Sequence, residues 1–205
     1  MRRLLLVAVL AGLALGLDQG LRLVAAGQLA SRAREAARDP ESAEATISSF
    51  PFVGRLLVSG GVPRVRVRVT GAAAGPLRLA AVEVEGSGVR VDRPALLSGA
   101  VRLEGIERGS VTVELDGRAI SEAVGVPVVV ADGRMQVGTG ALKADAGVEV
   151  DRDGSLVLRA AGRPGLRVPV VRTPLVPCAA TSVSVRGDRV RLRCDLDALP
   201  APLRR

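Results

Sequence analysis

The stretch Arg64–Val69 reads RVRVRV, a strict alternation of a basic residue and a β-branched apolar residue. Successive side chains of a β-strand point to opposite faces, so this stretch predicts a half-buried strand. One face would turn to a core and the other to solvent: Val65, Val67 and Val69 on the first, and Arg64, Arg66 and Arg68 on the second.

Shorter stretches with the same period of two continue towards the C-terminus, separated by Gly, Pro and Asp turn residues. Two of them flank Asp151–Gly154 and two flank Gly187–Asp188, which predicts two hairpins. We expect about ten strands in all, the pattern of an antiparallel sandwich, barrel or rolled sheet. No long linker interrupts residues 18–205, so the sequence predicts one α+β domain, mostly β, that begins with a helix.

The N-terminus has the pattern of an export signal. Arg2 and Arg3 precede the apolar run Leu4–Leu17, whose 14 residues suit a signal peptide and fall short of the roughly 20 that span a bilayer. Residues 1–17 therefore predict a signal peptide, with Val24–Ala26 as a fair cleavage site, or an uncleaved signal-anchor. Either form would place the remaining chain at the outer face of the cytoplasmic membrane or in the periplasm. A buried helix of a protein that is not exported is the remaining alternative.

The next segment predicts an amphipathic helix over residues 18–39. Its apolar residues recur at helical spacing and its charged residues fall elsewhere, which gives the stripe Leu21, Val24, Ala25, Leu29, Ala33 and Ala36. Asp39–Pro40 ends the helix, because the residue before a proline avoids the α conformation. Residues 41–49 are polar and are compatible with one more helical turn.

The composition argues against most catalytic chemistry. The chain has no His, Trp or Tyr, and it has two Phe. The absence of His removes the Ser-His-Asp and Cys-His arrangements and His-based zinc sites, and the lack of aromatic platforms argues against nucleic acid as a partner. We expect no enzyme, no metal and no cofactor, with hydrolysis by paired carboxylates as a distant alternative. The net charge of +8 favours an anionic partner, although an arginine-rich composition also accounts for it.

Cys178 and Cys194 are the two cysteines of the chain. In an exported protein an isolated pair is most simply one disulfide. Closing a loop of this size would contribute roughly 3 kcal/mol to stability in the chain-entropy description.

The order of these features resembles the actinobacterial LmeA-like phospholipid-binding proteins over nearly the whole chain. The resemblance rests on an apolar segment that ends in Asp18, a helix, the motif Phe50–Phe52 (FPF), Leu56, Leu57 and Gly60, and then a series of V-x-V strands. Ser49 departs from it, since a glycine is expected before the first phenylalanine.

The resemblance implies a non-enzymatic protein that binds anionic phospholipid at the outer face of the cytoplasmic membrane, with transfer left open, in support of envelope lipid and glycan assembly. It also implies a tubular lipid-binding fold, in which a curved antiparallel sheet wraps a helix around an apolar cavity. The residues expected to face lipid are Phe50, Phe52, Leu56, Leu57, Val65, Val67 and Val69, and those expected at the headgroup or membrane surface are Arg64, Arg66 and Arg68. The alternative is an envelope adaptor protein with a filled core and a protein partner.

Overall fold

A computed structural model describes residues 2–75, 77–92, 94–95, 102–160, 165–168, 173–178 and 180–204, with side chains from residue 12 onwards except those of residues 14, 57 and 141. The helices are α1 (Arg2–Ala36), α2 (Phe52–Ser59), α3 (Gly117–Val124) and α4 (Ala201–Arg204), with a 3₁₀ turn at Gly140–Leu142. The strands are β1 (Ser42–Ser48), β2 (Gly61–Thr70), β3 (Ala73–Ala74), β4 (Leu77–Arg78), β5 (Ala81–Val91), β6 (Leu103–Gly105), β7 (Arg108–Asp116), β8 (Val128–Ala131), β9 (Arg134–Val137), β10 (Ala144–Val150), β11 (Leu156–Ala160), β12 (Leu166–Val168), β13 (Ser182–Arg186) and β14 (Arg189–Leu196).

The strands form two main antiparallel sheets and one short ribbon. The first sheet has the order β1-β2-β5-β7-β14-β13, with β6 paired to the end of β5. The second has the order β12-β11-β10-β9-β8, and β3 pairs with β4. Within the described residues β1 and β13 each have one strand partner, so the first sheet is open and not a closed barrel. The prediction of a mostly β fold with a helix on antiparallel sheets is confirmed.

Strand β2 has the two faces that its alternation predicts. Val65, Val67 and Val69 are buried, whereas the arginines between them lie on the outer face. Both predicted hairpins are also present: β10 and β11 join through Asp151–Gly154, and β13 and β14 join through Gly187–Asp188.

Strand β1 corrects the prediction for residues 41–49, because Ser42–Ser48 is an edge strand and not a further helical turn. It pairs along its whole length with β2, from Ser42 opposite Thr70 to Ser48 opposite Arg64. Ile47 is buried, and the alternate residues Thr46 and Ser48 are exposed. Small inward-facing residues and a polar outer face hide the period of two in the sequence, and the backbone groups of β2 supply the pairing.

Helix α1 is continuous from Arg2 to Ala36, so one helix contains both the apolar run and most of the predicted amphipathic segment. Its buried stripe is Ala25, Leu29 and Ala33, whereas Leu21 and Val24, which the spacing assigned to that stripe, are exposed. Within the described part of the chain no helix combines the length and hydropathy of a membrane span.

One continuous hydrophobic core joins these elements. The buried stripe of α1 packs on β1 and β2, and α1 also contacts α2 and α4. The second sheet contacts the first along β13 and β14, and α3 contacts strands of both sheets. The C-terminal part of α1 therefore lies beside the apolar face of the first sheet, close to the C-terminus of the chain.

Candidate functional site

A buried carboxylate joins α1 to the first turn of α2. Asp18 is 5% exposed; its Oδ2 accepts a hydrogen bond from the backbone N–H of Phe52 (2.9 Å) and its Oδ1 accepts one from that of Val53 (2.7 Å). The first N–H groups of a helix lack partners within the helix, and the N-terminus carries partial positive charge, so a carboxylate stabilises it. Asp18 thus caps α2 from another helix and fixes the FPF motif against α1.

The structure does not bring the residues expected to face lipid into one cavity. Val65, Val67 and Val69 lie in the core, and Phe52 and Leu56 are buried beside them. Phe50 is 60% exposed, and the side chain of Leu57 lies outside the described residues. None of the described side chains in this set lines the apolar clefts described below. The site that we expected around them stays a prediction.

The arginines of β2 take part in an ion-pair ladder across the outer face of the first sheet. Arg66 pairs with Glu85 and Glu83, and Arg68 pairs with Glu83 and Glu114. The hydrogen bond with Glu85, together with the negative charges of Glu85 and Glu83, raises the pKa of Arg66. Their charge is therefore largely matched within the sheet, which weakens the case for Arg66 and Arg68 as phosphate ligands.

Arg64 lies at one end of a polar trough of about 690 Å³ on the same outer face. Arginines and acids alternate around the trough: Arg64, Arg66, Arg108 and Arg193 with Glu85, Glu107, Asp195 and Asp197. Because charges of both signs line it, the trough has no clear preference for an anion. The role of Arg64 at a headgroup stays a prediction.

An apolar cleft of about 360 Å³ lies at the C-terminal end of α1, between that helix and the β3–β4 ribbon. Small and apolar residues form most of its wall: Ala36, Ala37, Ala72, Ala73, Ala74, Leu79, Val82 and Leu175. Arg38 stands at its edge and is exposed. This volume falls within the range of about 300–1,000 Å³ that small-ligand pockets usually have.

A second, larger cleft of about 920 Å³ lies on the other side of the same helix end, against α4. It shares Ala36 and Pro174 with the first cleft. Prolines, alanines and one leucine form most of its wall: Pro174, Pro177, Ala198, Leu199, Pro200, Ala201 and Pro202. Its charged lining residues are Arg32, Glu35 and Arg204.

The segment 173–178 forms the wall between the two clefts. Thr173 and Val176 exchange backbone hydrogen bonds of 3.2 and 3.0 Å, and the N–H of Val176 also donates to the Thr173 Oγ1 at 3.1 Å. The predicted disulfide is present, and it joins Cys178 at the end of this segment to the buried Cys194 of β14. The disulfide therefore attaches the wall of the clefts to the first sheet.

The two clefts suit a ligand with an apolar body and an anionic end. Most of their lining residues are apolar, and the charged residues among them are three arginines and one glutamate. Across the described residues no group of three or more His, Cys, Asp or Glu side chains is arranged to hold a metal ion.

Neither Asp18 as a cap nor the clefts followed from the sequence. The acid that ends the apolar run was visible, but its partner lies 34 residues away. The cleft walls come from residues near 36, 73, 175 and 200, which no local pattern joins. The group of prolines at 174, 177, 200 and 202 was the one signal that could have marked this surface.

No curated protein and no solved structure matches the chain. One protein family does, described as LmeA-like phospholipid-binding, over residues 16–204. The match includes Asp18, the FPF motif, both clefts and the disulfide. The chain therefore belongs to the LmeA-like phospholipid-binding family.

Proposed function

We propose that the protein binds one phospholipid molecule with its acyl chains in the two clefts beside the C-terminal end of α1. The observation that carries this proposal is the pair of apolar clefts that meet at Ala36 and Pro174, with arginines at their edges. Two adjoining clefts match the two acyl chains of a phospholipid. The proposal moves the lipid from the core valines of β2 to the clefts at the end of α1, the first of which is lined by Val82, the strand partner of Val69.

Burial of the acyl chains supplies the affinity. Each methylene removed from water contributes about 0.8 kcal/mol. The buried methylenes of two acyl chains therefore outweigh the cost of ordering a lipid. The clefts are open at the surface, which lets a lipid enter without unfolding of the core. The same openness permits transfer of lipid between membranes, although the proposed binding does not depend on such transfer.

A preference for anionic headgroups follows from the charge around the clefts. Arg32, Arg38 and Arg204 outnumber Glu35, and the whole chain carries a net charge of +8. A guanidinium pairs well with phosphate oxygens because its N–H groups form a planar fork. We expect phosphatidylglycerol or a similar anionic lipid to bind more tightly than a zwitterionic lipid.

We further propose that the protein is exported and acts at the outer face of the cytoplasmic membrane, in support of envelope lipid and glycan assembly. The N-terminal arginines and the apolar run support export. Cleavage at Val24–Ala26 would remove Asp18, and with it the cap of α2. For this reason we favour the uncleaved signal-anchor, which keeps Asp18 and the apolar run before it.

Native mass spectrometry of the full chain, purified in mild detergent and supplied with phosphatidylglycerol, tests the proposal. We expect a one-to-one adduct with phospholipid. Ala36→Trp, which fills the point where the clefts meet, should abolish the adduct. Ala30→Trp is the matched control, since Ala30 is half-buried on the same helix and lines neither cleft.

The protein would not be a lipid-binding protein of this kind if the unmodified chain stayed free of lipid under these conditions. Co-purification of one defined protein without lipid would instead favour the envelope adaptor. Equal adducts in Ala36→Trp and Ala30→Trp would place the lipid outside the clefts.

A further inference from the structure

The exposed large hydrophobic side chains are gathered at one end of the domain. Among the described residues ten such side chains are exposed; six of them belong to α1 before Ala25, one lies two residues before α2 and one lies in the last turn of α2. These eight are Leu13, Leu15, Leu17, Leu21, Leu23, Val24, Phe50 and Val58. Val129 and Leu142, elsewhere in the fold, are the other two. A concentration of this kind marks an interaction surface.

The cap at Asp18 brings the start of α2 beside the exposed apolar residues of α1. Because Asp18 accepts the hydrogen bonds of Phe52 and Val53, the residues next to them lie beside α1 at this point of the helix. Phe50 is two residues before that contact and is 60% exposed. We call the exposed apolar residues of α1 on either side of Asp18, together with those that flank or end α2, the collar: Leu15, Leu17, Leu21, Leu23, Val24, Phe50 and Val58.

The collar surrounds the helix and does not form a single stripe. At about 100° per residue, the exposed side chains of Leu15, Leu17, Leu21 and Leu23 point in directions that span about two thirds of the circumference of α1. A partner helix or groove contacts one face of a helix, whereas lipid surrounds it. The shape of the collar therefore favours a bilayer over a protein groove.

The residues that precede the collar on α1 are also apolar. Residues 4–17 are uniformly apolar, and they would extend about 21 Å as a helix, which is longer than half of a hydrocarbon core of about 30 Å. The charged residues that α1 and α2 carry between Asp18 and Ser31 and between Phe52 and Ser59 are Arg22 and Arg55, both basic. Arginines at this level can extend their guanidinium groups to lipid phosphates.

We propose that the collar enters the interfacial layer of a phospholipid bilayer and seats the domain on the membrane, with Phe50 among the buried side chains. This inference rests on the phospholipid-binding function proposed above, and it assigns a second lipid contact on α1, on the N-terminal side of the clefts. The collar contacts the bilayer, whereas the clefts hold a single lipid molecule. Asp18 is the positioning residue, because it keeps Phe50 at the level of the collar.

The absence of Trp and Tyr from the chain makes a direct test possible. Phe50→Trp introduces a single fluorophore at the collar, and Val129→Trp introduces one at an exposed position on the second sheet. Each full-length variant is reconstituted into vesicles of phosphatidylcholine and phosphatidylglycerol in equal amounts. Quenching is then measured with lipids brominated on their acyl chains and, separately, with acrylamide in the aqueous phase.

The collar predicts strong loss of Phe50→Trp emission with brominated lipid and protection of that emission from acrylamide. Val129→Trp should show the reverse. Val58→Trp provides a second reporter in case the change at Phe50 disturbs the turn. Equal responses to both quenchers at positions 50, 58 and 129 would overturn the proposal, and so would protection from acrylamide without quenching by lipid, which would indicate a protein contact.

The same preparations separate this inference from the cleft proposal. Quenching by brominated lipid at position 50 in a protein that retains no lipid in native mass spectrometry would support the collar and refute the clefts. A retained lipid without quenching at position 50 would refute the collar and support the clefts.

Discussion

The two halves of α1 have similar apolar content and opposite surroundings. From Ala25 to Ala33 the helix buries one stripe on β1 and β2 and leaves its other side to water and the clefts. From Leu13 to Val24 it exposes large apolar side chains on several sides. The difference shows that apolar content alone does not decide burial: the second half is part of the core, and the first half presents its large apolar side chains outward.

The largest expected effect is at the buried stripe. Leu29→Ala should lower the free energy of unfolding by about 2–5 kcal/mol, because Leu29 is fully buried and its removal leaves a cavity. Leu21→Ala, eight residues earlier and half-exposed, should change it by about 0.5 kcal/mol or less. Urea unfolding of both variants in detergent measures the difference. Equal losses would mean that the two halves are not distinct.

The disulfide should have the next largest effect, and it acts beside the second half of α1. Cys178→Ser with Cys194→Ser should cost about 3 kcal/mol through the freed loop of the unfolded chain. Because Cys178 ends the wall between the clefts, lipid retention in native mass spectrometry should fall as well. Retention equal to that of the unmodified chain at full occupancy would show that the wall does not need the disulfide.

Asp18 is the buried residue of the first half, and it joins that half to α2. Asp18→Ala should cost about 2 kcal/mol, because the first N–H groups of α2 lose a charged acceptor in a buried place. Hydrogen exchange followed by mass spectrometry should show the loss of protection at residues 52–59, with β5 and β7 unchanged. Asp18→Asn keeps one acceptor oxygen, so its free energy of unfolding should lie between those of the unmodified chain and Asp18→Ala. A uniform loss of protection over the whole domain would contradict a local cap.

The outer face of β2 should matter least. Arg66→Gln should change the free energy of unfolding by about 0.5 kcal/mol, since Arg66 is half-exposed and its pairs with Glu85 and Glu83 are screened by salt. Its pKa is already raised, so Arg66 stays charged and pH in the ordinary range should not alter the pairing. Unfolding at low and high salt measures the effect. A large loss of lipid binding in Arg66→Gln would instead restore the headgroup site expected from the sequence.

The sequence was sufficient where one residue and its near neighbours determine the structure. The alternation at Arg64–Val69 was enough to predict β2 and both of its faces, since burial follows directly from the period of two. The turn residues at Asp151–Gly154 and Gly187–Asp188 were likewise enough to predict the two hairpins. The cysteine pair predicted the disulfide, because an isolated pair has few other uses in an exported chain.

The sequence was insufficient where packing between distant segments determines which residues are buried and where clefts form. The helical stripe was placed one turn too early, at Leu21 and Val24, because periodicity does not show where the rest of the fold begins to cover a helix. The alternation of β2 showed that its valines are buried but not what they are buried against, and their contact with lipid stays a prediction. The clefts arise where the end of α1 meets the chain at 173–178 and 198–204, and no spacing in the sequence records that meeting.

The most direct test of the account is photocrosslinking with a phosphatidylglycerol that carries a diazirine at the end of one acyl chain. The full chain is loaded with this lipid at one-to-one stoichiometry, irradiated, digested and mapped by mass spectrometry. The clefts predict crosslinks in the segments 173–178 and 198–204 and near Ala36. Crosslinks confined to β2, on its valine face or along Arg64–Arg68, would contradict the account and return the lipid to the site that the sequence alone had indicated.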